Sequence, residues 1–212
     1  MRRYALYFTP PGGSPLADLG ACWFTDPAVT DITARPSLYG FHATLKAPFR
    51  LAAGREEGAL LAALDDFCAA RPPVGIGRLL LAELEGFLAL VPARQSAELE
   101  RLAADCVAAF DGFRAPAGEA ERARRRAAGL SARQERHLLR WGYPYVADDF
   151  LFHMTLSRRL DPAEAAAAKS RLAPLAAPAL AGPVLLDALS LSVQPAAGAP
   201  FEVRRRIALS GG

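Results

Sequence analysis

The sequence is poor in the residues that build metal and redox centres. It has three cysteines in 212 residues, Cys22, Cys68 and Cys106, with no CxxC spacing, and no HExxH helix. A protein-built metal site therefore has little support. Cys68 and Cys106 fall among alanines in helical patterns, where a cysteine is usually a small buried hydrophobe. No apolar run approaches the roughly 18 residues of a membrane span. The opening Met1-Arg2-Arg3-Tyr4 leads into Pro10-Pro11-Gly12-Gly13 rather than an apolar stretch of signal length. The expectation is a cytoplasmic protein with no membrane association, no metal and no cofactor. Charge is not lopsided either: the formal net charge is +3 and the pI near 9.0. That mild excess favours anionic ligands without singling out nucleic acid.

Histidine is equally scarce, with three in the chain, and two of them fall in copies of one pattern. Tyr39-Gly40-Phe41-His42-Ala43-Thr44-Leu45-Lys46 is echoed by Phe150-Leu151-Phe152-His153-Met154-Thr155-Leu156-Ser157. In an extended strand, residues two apart share a face. His42, Thr44 and Lys46 then share one face, as do His153, Thr155 and Ser157, with apolar side chains on the other. The repeat suggests two strands lying side by side across a pseudo-twofold axis. The third histidine, His137, sits in a polar helical segment and is read as structural.

Hydrophobic residues make up 52% of the chain, enough for a full core in one body. Alternation predicts strands at 3–8, 39–51, 74–83, 86–91, 149–158, 185–193 and 201–209. Helical spacing predicts helices at 16–24, 55–70, 96–110 and 162–172, the last two opening at Ser96 and at Asp161-Pro162. Two Arg-heavy helical segments, 119–128 and 131–141, have no counterpart after the first motif. They read as part of an insertion spanning about 111–146. The expected fold is a single α+β domain over 1–212, bilobal, with pseudo-twofold antiparallel sheets, outer helices and a central cleft. Each half-unit is a motif strand, a helix and two further strands.

These residues carry a resemblance. His42-Ala43-Thr44 and His153-Met154-Thr155 resemble the paired HxT signatures of the two-histidine (2H) phosphoesterase superfamily. His-Ala-Thr-Leu-Lys-Ala-Pro-Phe, with Trp-Gly-Tyr-Pro-Tyr ahead of Phe-His-Met-Thr-Leu, is similar to an uncharacterised branch associated with bacterial phosphonate-utilisation operons. The resemblance implies metal-independent hydrolysis of a small cyclic phosphate or phosphodiester, with a phosphorylated ribose cyclic phosphate as the attractive substrate. The residue chemistry is compatible. Imidazole titrates near neutrality and serves as acid or base, which suits His42 and His153 as the catalytic pair. Hydroxyls of Thr44 and Thr155 can donate to phosphate oxygens, and Lys46 adds charge. Tyr4, Tyr39, Tyr143, Tyr145, Arg50 and Arg158 are secondary candidates for gripping a ring or second phosphate. The Arg124-Arg125-Arg126 and Arg204-Arg205-Arg206 runs read as solvated faces first.

The partner expected is a small phosphorylated molecule, in preference to nucleic acid. Two rival functions stand beside the first. One is an RNA-end 2′,3′-cyclic phosphodiesterase or ligase-like enzyme, which calls for a basic groove with stacking platforms. The other is a non-catalytic phosphate-ligand binding protein.

Overall fold

The computed structural model describes residues 1–127 and 129–211. The fold is α+β. Eight strands, β1 (Arg3–Phe8), β2 (Ala43–Phe49), β3 (Val74–Leu84), β4 (Phe87–Pro92), β5 (Met154–Arg159), β6 (Pro183–Leu186), β7 (Ala188–Gln194) and β8 (Glu202–Ala208), form one sheet. Their order is β6-β3-β4-β5-β2-β1-β7-β8, and each of these pairings is antiparallel. The helices are α1 (Pro15–Thr25), α2 (Thr30–Ser37), α3 (Glu57–Ala69), α4 (Ala97–Ala109), α5 (Glu119–Arg126), α6 (Ala132–Trp141) and α7 (Pro162–Leu180). Among the described residues, no helix is long and apolar enough to cross a membrane.

Local chemistry explains the element ends. Ser14 accepts from the Ala17 amide at 3.2 Å and Pro15 opens α1, where a missing N–H costs nothing. Ser131 and Asp161 each make a reciprocal capping box, at α6 and α7. In β1, Tyr4, Leu6 and Phe8 enter the main core, while Ala5 and Tyr7 enter a small cluster with Phe201 and Tyr39. Both faces of this strand are therefore covered.

The structure corrects several expectations. Helix α7 runs to Leu180, not 172, through Pro174 and Pro178. Its Ala168, Leu172, Ala176 and Ala179 stay buried, and that apolar stripe outweighs the amide donors lost at the prolines. The single strand expected at 185–193 breaks at Asp187 into β6, beside β3, and β7, beside β1. Helix α2, with Pro36 inside it, has no counterpart in the sequence pattern. Of the segment expected at 119–128, helix spans Glu119–Arg126, and Ala128 lies outside the described residues.

The half-units are also not self-contained. The hairpin β3-β4, which follows β2 in the chain, pairs onto β5. The hairpin β7-β8, which follows β5, joins β1 beside β2. The two motif strands are neighbours at the centre, and the register pair between them is Ala43 with Met154.

Close packing under the first motif gives a test. Gly20 of α1 lies against the Phe41 ring, and a Cβ placed there overlaps that side chain. Gly20→Ala gains about 1 kcal/mol of helix propensity but forces Phe41, next to His42, to move. The expected net result is a loss of about 1–2 kcal/mol, read as a lower urea midpoint. An unchanged midpoint shows that Phe41 gives way freely.

Candidate functional site

Both motif histidines sit just before their strands, in the turns that feed β2 and β5. Gly40 has φ 70°, a left-handed conformation suited to glycine. Its carbonyl oxygen is 2.9 Å from His42 Nδ1. In the second copy the Leu151 carbonyl oxygen is 2.8 Å from His153 Nδ1. A carbonyl can only accept, so in each ring Nδ1–H is the donor and, in the neutral form, Nε2 holds the free lone pair. Thr44 Oγ1 lies 3.2 Å from His42 Nε2, and its hydroxyl donates there. Tyr7 stacks on His42 with ring centroids 3.8 Å apart. Burial lowers the His42 pKa from 6.5 to about 4, helped by the nearby His153 and opposed by the Gly40 carbonyl. At neutral pH the ring is therefore an uncharged base.

The two histidines line adjoining chambers, about 760 Å³ on the His42 side and about 540 Å³ on the His153 side. Thr44, Ala47, Phe87 and Tyr143 border both. Their charges are opposite in kind. Around His42 stand Arg3, Arg35, Arg124, Arg125, Arg158 and Arg159, with no carboxylate among the described lining residues. Around His153 the lining is largely apolar, with Glu83, Glu85 and Asp149 and, among the described residues, no arginine or lysine. Glu83, Glu85 and Asp149 are paired with Lys169, Arg159 and Arg133, so the unbalanced charge is the positive one of Arg3, Arg35, Arg124 and Arg125 on the His42 side.

A family model described as a protein of unknown function, DUF1045, matches residues 44–202. The chain belongs to the DUF1045 family. It is similar to two proteins named ribose 1,5-bisphosphate phosphokinase PhnN. One, from Janthinobacterium sp. (strain Marseille), is 41% identical over 233 aligned positions, covering 100% of this chain and 51% of that protein. The other, from Laribacter hongkongensis (strain HLHK9), is 35% identical over 220, covering 97% and 51%. This DUF1045 chain thus spans about half the length of the curated relatives it matches. Its fold resembles the crystal structure of TT0787 of Thermus thermophilus, with TM-score 0.50 and 17% identity, covering 100% of this chain and 99% of that one.

The relatives' names correct the functional expectation. Hydrolysis of a cyclic phosphate or phosphodiester, and with it the label of phosphodiesterase or hydrolase, gives way. Proteins similar across the whole of this DUF1045 chain are named as a phosphokinase, which transfers a phosphoryl group rather than adding water. The RNA-end phosphodiesterase rival gives way with it.

The remaining candidates are placed as follows. Thr155 lines the His42 chamber. Lys46 is buried, its ammonium donating to the Val107 carbonyl at 2.8 Å and lying 3.8 Å from Asp111. A register shift between β1 and β2 at Leu6/Tyr7 breaks the simple alternation that put Lys46 beside Thr44. Burial lowers its pKa to about 8, although Asp111 opposes this. Tyr4 is buried in the core, its hydroxyl donating to Glu57 at 3.2 Å. Tyr39 stacks on Phe201 at the His42 chamber. Tyr143 borders both chambers and Tyr145 the His153 side. Arg50 donates to the Pro116 carbonyl and borders neither chamber. Arg158 lines the His42 chamber but is tied to Glu164 and Asp31. His137 lies 3.2 Å from Asp149, a contact between α6 and the approach to β5. Cys68 and Cys106 are fully buried, and burial pushes their thiols up to about 11 and about 12.

Tyr7, Arg3 and Arg35 are site residues that the sequence reading leaves out, and Arg125 is one that it reads as solvated first. Tyr7 has a legible signal: in RYALYF it sits on the face opposite Tyr4, Leu6 and Phe8, and in the sheet it pairs with Thr44. The arginines reach the chamber from β1, α2 and α5, a convergence that no local spacing encodes. Arg124 and Arg125, expected on a solvated face, line the chamber, while Arg126 pairs with Glu119 and Glu135.

Proposed function

We propose that this chain holds a phosphorylated ribose of the ribose 1,5-bisphosphate class in the cleft at the β2–β5 seam and serves phosphoryl transfer to it. The observation that carries this reading is the lining of the His42 chamber, where Arg3, Arg35, Arg124 and Arg125 have no carboxylate partner among the described residues, while Arg158 and Arg159 are paired with Asp31, Glu164 and Glu85. A sugar bisphosphate brings roughly −3 to −4 of charge. The names of the relatives supply the sugar and the reaction class. Phosphoryl transfer asks a protein mainly to position the reactants and neutralise charge.

In this reading the Thr44 hydroxyl turns from His42 Nε2 to an oxygen of the acceptor phosphate as the substrate binds, and Thr155 donates to another. His42 Nε2, freed by that turn, donates to the bound phosphate once the ring takes up a proton, and the attacking acceptor oxygen, already largely ionised at pH 7, needs no base. The terminal phosphoryl group of a nucleoside triphosphate passes to that oxygen, and the nucleoside diphosphate leaves. His153, tied through Nδ1 in the same way, presents Nε2 from the adjoining chamber. The sequence carries no P-loop of the GxxxxGKS or GxxxxGKT type, so the reading assigns the acceptor sugar, not the nucleotide, to this cleft. The two-lobed pseudo-twofold arrangement, the single domain with an insertion at about 111–146, a cytoplasmic setting and a place in phosphonate use belong to the same proposal.

Calorimetry with the purified chain tests it. Ribose 1,5-bisphosphate should bind at least about ten times more tightly than unphosphorylated ribose and weaken as salt rises. With a nucleoside triphosphate present, phosphorus NMR of the relative from Janthinobacterium should show transfer that His42→Asn, made at the matching position, slows. The reading fails if the bisphosphate does not bind. It also fails if the chain opens a cyclic phosphate without any nucleotide.

A further inference from the structure

Among the described residues, two buried side-chain polar atoms lack a hydrogen-bond partner: the Tyr7 hydroxyl and Arg125 Nε. Both side chains line the His42 chamber. They come from unrelated parts of the chain, Tyr7 from β1 and Arg125 from α5, so a shared packing defect does not explain them. Buried donors are almost always satisfied, and leaving one unmet is costly. Two unmet donors, each covered yet carried by a side chain that lines one cavity, point to an acceptor that small side-chain shifts would admit.

The surroundings say what kind. The Arg125 guanidinium carbon sits 4.8 Å from the Tyr143 ring centroid, held over the chamber wall. Helix α5 itself buries no residue, so Arg125 owes its place to this contact rather than to a helix core. Arg35 and Arg124 line the same chamber and have no carboxylate partner among the described residues. Tyr7 is 1% exposed, and burial holds its phenol well above the ordinary range. It is therefore a hydrogen-bond donor at any physiological pH.

We propose that Tyr7 and Arg125, with Arg35 and Arg124 at the mouth, form a second anion subsite that receives the phosphate of the substrate remote from the reacting one. This rests on the phosphorylated-ribose reading and extends it. The histidine and threonine pair handles the reacting end. The subsite makes the cleft selective for sugars carrying two phosphates over those carrying one.

With the 5-phosphate assigned to the subsite and the 1-phosphate to the reacting end, two variants test it by calorimetry against ribose 1,5-bisphosphate and ribose 1-phosphate, which lacks the 5-phosphate. Arg125→Met keeps the bulk over Tyr143 and removes the donors. Tyr7→Phe keeps the stack on His42 and removes the hydroxyl alone. The wild type should prefer the bisphosphate by tenfold or more. Arg125→Met should cut that preference to less than threefold, and Tyr7→Phe should cut it severalfold. Thermal melting gives an independent readout: a hydroxyl without a protein partner is no loss to the empty fold, so Tyr7→Phe should melt at or above the wild-type temperature. Equal losses for both sugars, or a lower melting temperature for Tyr7→Phe, overturn the subsite. A wild type that binds neither sugar overturns the phosphorylated-ribose reading beneath it instead.

Discussion

Replacing Trp23 by alanine should lower the unfolding free energy by about 3–5 kcal/mol. Trp23 is fully buried on α1, and its indole N–H donates to the Leu156 carbonyl of β5 at 2.8 Å. The loss has two parts. Emptying the indole's volume removes its transfer energy and leaves a cavity that close-packed neighbours fill only in part. The Leu156 carbonyl also loses its donor inside the core, where an unmet acceptor costs about 1–3 kcal/mol. Trp23→Phe separates the parts, since it keeps most of the volume and forfeits the hydrogen bond. It should fall about midway between wild type and alanine in a urea titration. A Trp23→Ala loss below about 1 kcal/mol would show that α1 is not anchored to the second motif strand. Because Leu156 is one residue past Thr155, Trp23→Ala should also broaden the His153 resonances.

The second large effect is a pH dependence of stability centred on His42. Its folded pKa is about 4 against an ordinary 6.5. Between those values the unfolded chain takes up a proton that the folded chain refuses, so stability is full above about pH 6.5 and falls as the pH drops toward 4. The shift corresponds to a loss on the order of 3 kcal/mol across the window. In His42→Asn the amide can keep the bond to the Gly40 carbonyl but does not titrate. The difference in unfolding free energy between wild type and His42→Asn should be flat above about pH 7 and slope below about 6.5. A flat difference down to about pH 4 would show that the imidazole is as well solvated as a free one. Glu164, held at about 2 by Arg158 and the Asp161 amide, contributes to both proteins equally and cancels. A bound phosphate should reverse the His42 shift, seen as proton uptake on binding at about pH 6.

What can be read from the chain follows from how local each signal is. The strand at 3–8, the Glu85-Gly86 turn between β3 and β4, and the helix starts at Ser96 and Asp161 rest on nearest-neighbour chemistry, and the structure has them at those places. Helix α2 escapes such a reading because Thr30, Asp31, Thr33 and Pro36 are weak helix formers. Ile32, Thr33 and Pro36 are nonetheless buried, so tertiary packing overrides propensity. Strict alternation misplaces Lys46 beside Thr44, because a register shift defeats it. In the candidate site, the two histidines with Thr44 are legible from the repeat. The charge split between the chambers is not, since its arginines and carboxylates arrive from many separate elements. The reaction class is not legible either: the HxT pair says what the side chains can do to a phosphate, not where the phosphoryl group goes.

The exchange of hairpins across the sheet has a mechanical consequence. Each flank of the cleft is woven from segments on both sides of the other's motif, so neither His42 nor His153 has a scaffold until nearly the whole chain is in place. A product that stops before β5 leaves β4 without its inner neighbour, and β1 without β7. Folding and assembly of the cleft should therefore come as one cooperative event, and proteolytic nicking within the paired strands should disrupt both chambers together.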